Sequence, residues 1–283
     1  MEDLFSIEKM RRSGPFSMPI NHYHAAYEIY YLLSGERYYF IKDRTFHVRK
    51  GDLVFIGGNV LHKTSVCGDI AHERILLNFK PAFLPYGQKQ LELLLSPFEA
   101  ELPVLSLNPL EQITVESWLQ HMLDEQQSNE PAEITGILLQ SLLAQLLVFS
   151  GRAYAQKHIP AFEHVSPQHR KISEVVDFIN AHYDHSLQLQ DIGDRFYISR
   201  FHLSRLFKEV TGFTFVEYVN TVRVKEAQRQ LRDTGEQIIH IAERSGFENV
   251  SHFCRVFRQI SGTSPSQYRK LHEDRQTASA PRP

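Results

Sequence analysis

The chain has 283 residues, 42% hydrophobic and 23% charged, a globular balance that excludes a disordered segment, a collagen or a coiled-coil rod. The formal net charge of −2 conceals an asymmetry: residues 1–151 carry −6 and residues 169–272 carry +3, so an acidic half precedes a mildly basic one. Two cysteines, Cys67 and Cys254, make neither a disulfide framework nor a zinc knuckle and indicate a reducing compartment.

Met1–Pro15 is charged and lacks the apolar core of a signal peptide. The weakly polar run Ile134–Gly151 is interrupted by Gln140, Ser141 and Gln145, which suits a packed helix better than a membrane span. The expectation is a cytoplasmic protein with no membrane partner.

Short segments rich in Tyr, Phe, Val and Ile follow: Tyr27–Leu33, Tyr38–Ile41, Thr45–Arg49 and Leu53–Ile56. Turn residues separate them at Ser34-Gly35, Lys42-Asp43, Lys50-Gly51-Asp52 and Gly57-Gly58-Asn59. This rhythm predicts an antiparallel sandwich or barrel. After Pro85 the apolar period becomes helical, predicting helices over 111–124 and 134–154. The second carries Ile137, Leu138, Leu142, Leu146 and Phe149, with Leu139, Leu143 and Leu147 beside them. That is more leucine than one face needs, so the spare face is expected to pack on a second subunit. Residues 155–168 read as a linker, and residues from His169 as helical almost throughout. Residues 273–283 read as a flexible tail.

The second half repeats itself. Ile192-Gly-Asp-Arg195 echoes Ile241-Ala-Glu-Arg244, and Leu203-Ser-Arg-Leu-Phe-Lys208 echoes Phe253-Cys-Arg-Val-Phe-Arg258. Thr211-Gly212 and Tyr218 return as Ser261-Gly262 and Tyr268. The offset is 49 before the internal turn and 50 after it, so the second turn holds one more residue. Each unit reads as helix, tight turn, helix. Ser199 and Asn249 stand where N-caps of the second helices belong. Leu203, Leu206 and Phe207 make one apolar stripe, matched by Phe253, Val256 and Phe257. The opposite faces carry Arg200, Phe201, Ser204, Arg205 and Lys208, and Val250, Ser251, Cys254, Arg255 and Arg258. A helix that presents arginine and small polar groups suits a DNA major groove.

These residues carry a resemblance. Residues 169–272, above all Ile241-Ala-Glu-Arg-Ser-Gly-Phe through Phe257-Arg258 and Gly262-Thr-Ser-Pro265-Ser-Gln-Tyr268, resemble the DNA-binding domain of the AraC/XylS family of bacterial transcription regulators. The resemblance implies two helix-turn-helix units joined by a long helix, here Thr214–Gln230. It implies that the second helix of each unit reads double-stranded DNA in major-groove segments about 34 Å apart. Arg205 and Arg255 are the candidates for bidentate contact to guanine. Arg200, Phe201, Ser204, Val250, Ser251 and His252 are candidates for methyl, sugar or phosphate contacts, and Lys208 and Arg258 for phosphate. The first unit departs from the family pattern in its turn, Phe196-Tyr197-Ile198, which lacks the glycine of Ser245-Gly246-Phe247.

In the first half, His22, His24 and Glu28 have even spacing, which places them on one face of a strand, and His62 follows a later turn. Three imidazoles and a carboxylate suit a divalent transition metal, Zn²⁺, Ni²⁺, Fe²⁺ or Mn²⁺. They also suit a metal-free polar pocket, the favoured reading, in which they hydrogen-bond a ligand or one another. Tyr30, on the same face, with neighbouring Tyr38 and Phe40, are candidates to stack on a ligand ring or to fill the core. His22-x-His24-x₃-Glu28-x₆-Gly35 and Gly51-x₅-Gly57-x-Asn59-x₂-His62 resemble the two boxes of the cupin superfamily, with Gly57, Asn59 and Val66 replacing that family's usual Pro, Gly and Asn.

The fold class implied is α+β. A cupin-like antiparallel β-barrel over 1–110 and two helices over 111–154 precede an all-α domain with two helix-turn-helix units. The function implied is ligand-responsive transcription regulation, with a sugar or sugar derivative as effector, RNA polymerase as a further partner, and a homodimer as the working form. Two alternatives stay open at this stage: a metal-dependent cupin enzyme, and a constitutive DNA-binding protein whose barrel only dimerises.

Overall fold

The computed structural model describes residues 4–13, 26–58, 60–67, 71–156 and 167–271. The chain divides into two compact units, one through His169 and one from Arg170.

In the first unit the strands are β1 (Phe5–Arg12), β2 (Tyr27–Ser34), β3 (Glu36–Ile41), β4 (Arg44–Arg49), β5 (Asp52–Ile56), β6 (His62–Val66), β7 (His72–Phe79) and β8 (Val104–Ser106). Every pairing is antiparallel. Among the described residues they form two sheets, β1-β7-β2-β5-β8 and β4-β3-β6, rather than one closed ring. The expected turns sit where backbone sterics require them: Gly35 and Gly51 both adopt φ +86°. A side chain at Gly35 would also meet the Ala71 carbonyl at 2.7 Å.

Strand alternation divides the core. Tyr30, Leu32, Val54, Ile56 and Leu76 face the smaller sheet and pack with Tyr39, Ile41, Phe46 and Val48. Ile29, Tyr31, Leu53, Phe55, Ile75 and Leu77 face the other way, into a helical layer. That layer is α1 (Gln88–Leu95), α2 (Pro109–Gln126) and α3 (Ala132–Gln156). Asn108 and Glu111 close a capping box on α2, with Pro109 in the first turn. In α3 the inner stripe Leu139, Leu142, Leu143, Leu146 and Leu147 is buried. Ile134, Ile137, Leu138 and Val148 stay exposed, at 56%, 68%, 43% and 41%. Among the described residues α3 alone is long and apolar enough to cross a membrane, yet half of its most apolar stretch is inside this unit. The two helices expected are thus joined by α1 and by β8, which the sequence pattern did not announce.

The second unit comprises α4 (Pro167–Ala181) from Arg170 onward, α5 (Leu189–Arg195), α6 (Arg200–Thr211), α7 (Phe215–Asp233), α8 (Ile238–Arg244) and α9 (Val250–Ser261). The bounds of α5 and α8 differ by 49 and those of α6 and α9 by 50, the offsets of the sequence repeat. Residues 157–166 and 272–283, which hold most of the expected linker and the whole expected tail, lie outside the described residues.

Candidate functional site

The second helix of each helix-turn-helix unit, α6 and α9, is built by the same local chemistry. Ser199 Oγ accepts from the His202 N–H at 3.4 Å, and Asn249 Oδ1 accepts from the Ser251 and His252 N–H groups at 2.8 and 3.1 Å. Gly212 and Gly262 end α6 and α9 at φ +76° and +73°. The repeat continues past these glycines. Thr214 and Glu217 form a capping box on α7, and Ser264 and Gln267 make the equivalent reciprocal bonds.

The buried faces are the two apolar stripes: Leu203, Leu206 and Phe207, then Phe253, Val256 and Phe257, none more than 6% exposed. Arg200, Phe201, Ser204, Arg205 and Lys208 are exposed, as are Ser251, His252, Arg255 and Arg258. Phe201 is 86% exposed, a large apolar ring with no packing role in this unit. Val250 differs from expectation: it is half-buried against the Phe253 cluster, as is Cys254, which reduces what both present outward. His202, equivalent to His252, escaped the sequence reading; its Nδ1 lies 3.4 Å from Arg205 Nη2.

The two internal turns solve one problem differently. Gly246 takes φ +84° and Tyr197, its counterpart, takes φ +57°. Thus the glycine-free turn keeps the left-handed position and places a side chain there, 95% exposed. At Gly193 a Cβ would meet the Ile198 carbonyl at 2.6 Å, so that glycine serves the close approach of α5 to the turn.

One junction holds the two helix-turn-helix units together. Arg223 on α7 donates from Nε to the Tyr183 carbonyl at 2.7 Å and from Nη2 to the His185 carbonyl at 2.8 Å. Its guanidinium also lies 5.7 Å from the Phe247 ring. The Tyr218 hydroxyl donates to Asn180 at 3.1 Å. α7 has 19 residues and is therefore about 28 Å long, a spacer of the scale of one DNA turn.

The space between the sheets of the first unit is polar at one end. Glu28 and His62 are each 1% exposed. Tyr39 donates its hydroxyl to Glu28 Oε1 at 2.6 Å, and Glu28 Oε2 lies 3.5 Å from His62 Nε2. His62 Nδ1 faces the Val60 carbonyl at 2.8 Å; a carbonyl only accepts, so Nδ1 carries the proton. Burial first, then Glu28, pushes the Tyr39 phenol well above its ordinary range. His22, His24 and Asn59 lie outside the described residues. With Glu28 and His62 alone described, this structure brings two of the four candidate metal ligands together, and Glu28 already receives Tyr39.

Tyr30 is fully buried on this interior face, against Tyr39 with ring centroids 5.2 Å apart, and burial pushes its phenol up to about 12. Tyr38 is a correction. Strand alternation from the buried Arg37 puts Tyr39 inside, so Tyr38 and Phe40 take the opposite phase; Tyr38 lies against His47 at 5.4 Å, not beside Glu28. Replacing Tyr39 by Phe is expected to cost about 1–3 kcal/mol of stability, because a buried carboxyl oxygen loses its donor. Tyr38→Phe is expected to cost less than about 1 kcal/mol; chemical denaturation of both variants checks the assignment.

Sequence reasoning also missed two interior arginines. Arg37 is 0% exposed and Arg74 is 5% exposed, with Arg74 5.6 Å from the Tyr30 ring centroid and 3.6 Å from Glu8. Burial, with Arg74 and Arg12 nearby, lowers the Arg37 pKa despite the opposing pull of the Tyr30 phenol. The Tyr30 hydroxyl has no hydrogen-bond partner among the described residues.

Comparison with known families matches both units. A family model described as an AraC-like ligand binding domain matches residues 15–147, and one described as a helix-turn-helix domain matches residues 192–271. The chain is 30% identical over 273 residues to an HTH-type transcriptional regulator of Bacillus subtilis strain 168, YfiF, covering 89% of this chain and 79% of that protein. It is 23% identical over 272 residues to the melibiose operon regulatory protein of Escherichia coli K12, covering 93% and 87%. Among solved structures, ToxT from Vibrio cholerae aligns over 95% of this chain and 98% of that one, at 14% identity and a TM-score of 0.37. The chain belongs to the AraC/XylS family of transcription regulators: it is a DNA-binding regulator with an N-terminal ligand-binding domain.

Proposed function

We propose that α6 and α9 are two reading heads that enter successive major-groove segments of one promoter half-site. The observation that carries this is the exposed arginine at the same position of both helices, Arg205 and Arg255, each set by the same cap and the same buried stripe. In this reading Arg205 and Arg255 contact bases, and Lys208 and Arg258 contact phosphates. Arg200, Phe201, Ser204, Ser251 and His252 line the approach. Val250 contributes at most a methyl edge.

The working form in this proposal is a cytoplasmic homodimer that activates transcription through RNA polymerase. Its contact is the exposed side of α3, where Ile137 and Val148 line an apolar groove with Leu93 and Trp118. A small-molecule effector binds between the sheets of the first unit. It acts by binding the two arrangements of the dimer with different affinity, and a coupling of about 1–3 kcal/mol gives a 5–150-fold response. The interior residues Glu28, Tyr30, Tyr39 and His62 suit the hydroxyls of a sugar derivative, and the buried Arg37 and Arg74 favour one that carries an acidic group. The melibiose operon protein, named for a sugar operon, agrees with a sugar-like effector. An enzymatic role finds no support in relatives that are named as regulators.

The test is binding of the full chain to DNA from its own upstream region across a salt series. A complex that survives nonspecific competitor is expected. Lys208→Ala and Arg258→Ala are each expected to lower the salt slope by about 1 with the preferred sequence unchanged. Absence of any sequence-preferring complex overturns the proposal.

A further inference from the structure

The smaller sheet has a second polar cluster on the face turned away from the interior, where no part of the DNA-reading or effector-binding account draws on it. β3 is its central strand, flanked by β4 and β6. Tyr38 pairs directly with His47 on β4, and Arg37 pairs with Val66 on β6. One step along that register sets Glu36 opposite Cys67. Alternation then puts Glu36, His47 and Cys67 on one face, from three adjacent strands or their ends. The side chains meet. Glu36 Oε2 lies 2.9 Å from His47 Nε2, Cys67 Sγ lies 3.5 Å from the same nitrogen, and Sγ lies 4.0 Å from Glu36 Oε2. One donor atom from each residue falls within 4.8 Å of the others.

We propose that Glu36, His47 and Cys67 form a transition-metal site that takes Zn²⁺. The donor set is one carboxylate oxygen, one imidazole nitrogen and one thiolate sulfur, which is zinc chemistry rather than that of calcium or magnesium. Tetrahedral zinc, with bonds of about 2.0–2.3 Å, separates its ligand atoms by about 3.4–3.6 Å. The three observed separations bracket that range. The half-exposed Glu36 side chain has room for the half-ångström adjustment needed, whereas Cys67 and His47 are held by the sheet. Three protein ligands leave one coordination position for water or an incoming donor, and the ring of Tyr38 lies 5.4 Å from that of His47. On binding, the Cys67 thiol gives its proton to solvent and the sulfur electron pair goes to the metal. This site is separate from the interior pair of Glu28 and His62, and its test keeps the two apart.

The experiment uses untagged full-length protein, equilibrated with Zn²⁺, desalted, and analysed by elemental mass spectrometry. One equivalent of zinc is expected in wild type and in His62→Ala, and none in Cys67→Ser or His47→Ala. Glu36→Gln, an exposed and structurally mild change, is expected to weaken zinc binding by at least the roughly 10–100-fold that loss of a supporting partner costs. Cobalt substitution of the wild-type protein is expected to give the near-ultraviolet absorption of a thiolate bound to Co²⁺. Wild type that retains no zinc overturns the site. So does zinc retained equally by Cys67→Ser, or zinc lost only in His62→Ala, which would place the metal in the interior.

Discussion

Replacing Gly246 by alanine will destabilise the C-terminal unit by about 2–5 kcal/mol, while the same change at Gly262 will cost only about 1–2 kcal/mol. Both glycines are left-handed, at φ +84° and +73°, so both variants bear the roughly 1–2 kcal/mol steric cost of an L side chain there. Their surroundings differ. A Cβ on Gly262 meets nothing within 4 Å, whereas one on Gly246 would come to 2.5 Å from the Tyr183 carbonyl and 2.9 Å from Asp184 Cα and Arg223 Nε. The Tyr183 carbonyl is the acceptor that Arg223 uses to tie α7 to the segment between α4 and α5. Making room for the methyl group breaks that hydrogen bond, adding about 1–3 kcal/mol for buried polar groups left unsatisfied. The lone tryptophan, Trp118, sits in the first unit and does not report on the second. Hydrogen exchange of the α8 and α9 amides in the full chain is the suitable measurement. Equal loss of protection in the two variants would show that the close approach carries no energy.

Arg205→Ala and Arg255→Ala will each weaken binding to the preferred DNA by about 1–3 kcal/mol, roughly 5–150-fold, and each will relax the preference at one base-pair position. Both arginines are exposed, one turn into helices that begin at N-capped residues 199 and 249, so their Cα positions are fixed while their guanidinium groups are free to seat. The His202 imidazole 3.4 Å from Arg205 orients the first; no such contact involving Arg255 is seen among the described residues. The two helices stand at opposite ends of a spacer about 28 Å long, so the losses should add in the double variant. Competition binding against single-base variants of the site reads this directly. A uniform loss across all sequences would reassign both residues to phosphate.

The C-terminal unit was legible because its signals are local. N-caps, i to i+3 and i+4 apolar spacing and terminal glycines act within a few residues, and the 49-and-50 offset marks the inserted turn residue in the sequence itself. The left-handed Tyr197 was not legible, since a tyrosine is not a residue type that signals a positive φ. The first unit was legible only where turns punctuate short strands. Phe5–Arg12 hides its strand behind Lys9, Arg11 and Arg12, because only Phe5 and Ile7 face the core. In the run of three aromatics, Tyr38-Tyr39-Phe40, hydrophobicity alone cannot tell inward from outward, and Tyr39 rather than Tyr38 meets Glu28. The interior arginines and the Glu36, His47 and Cys67 cluster are products of strand pairing, from 11 positions of sequence between Glu36 and His47 to 64 between Met10 and Arg74, which no local spacing rule encodes.

In the proposed function, one chain reads DNA at two successive major-groove segments. A guanine-methylation protection footprint on the preferred site tests it most directly. Two protected patches about one helical turn apart are predicted, with Arg205→Ala erasing one and Arg255→Ala erasing the other. A single patch, or two patches that both survive in each variant, would contradict it.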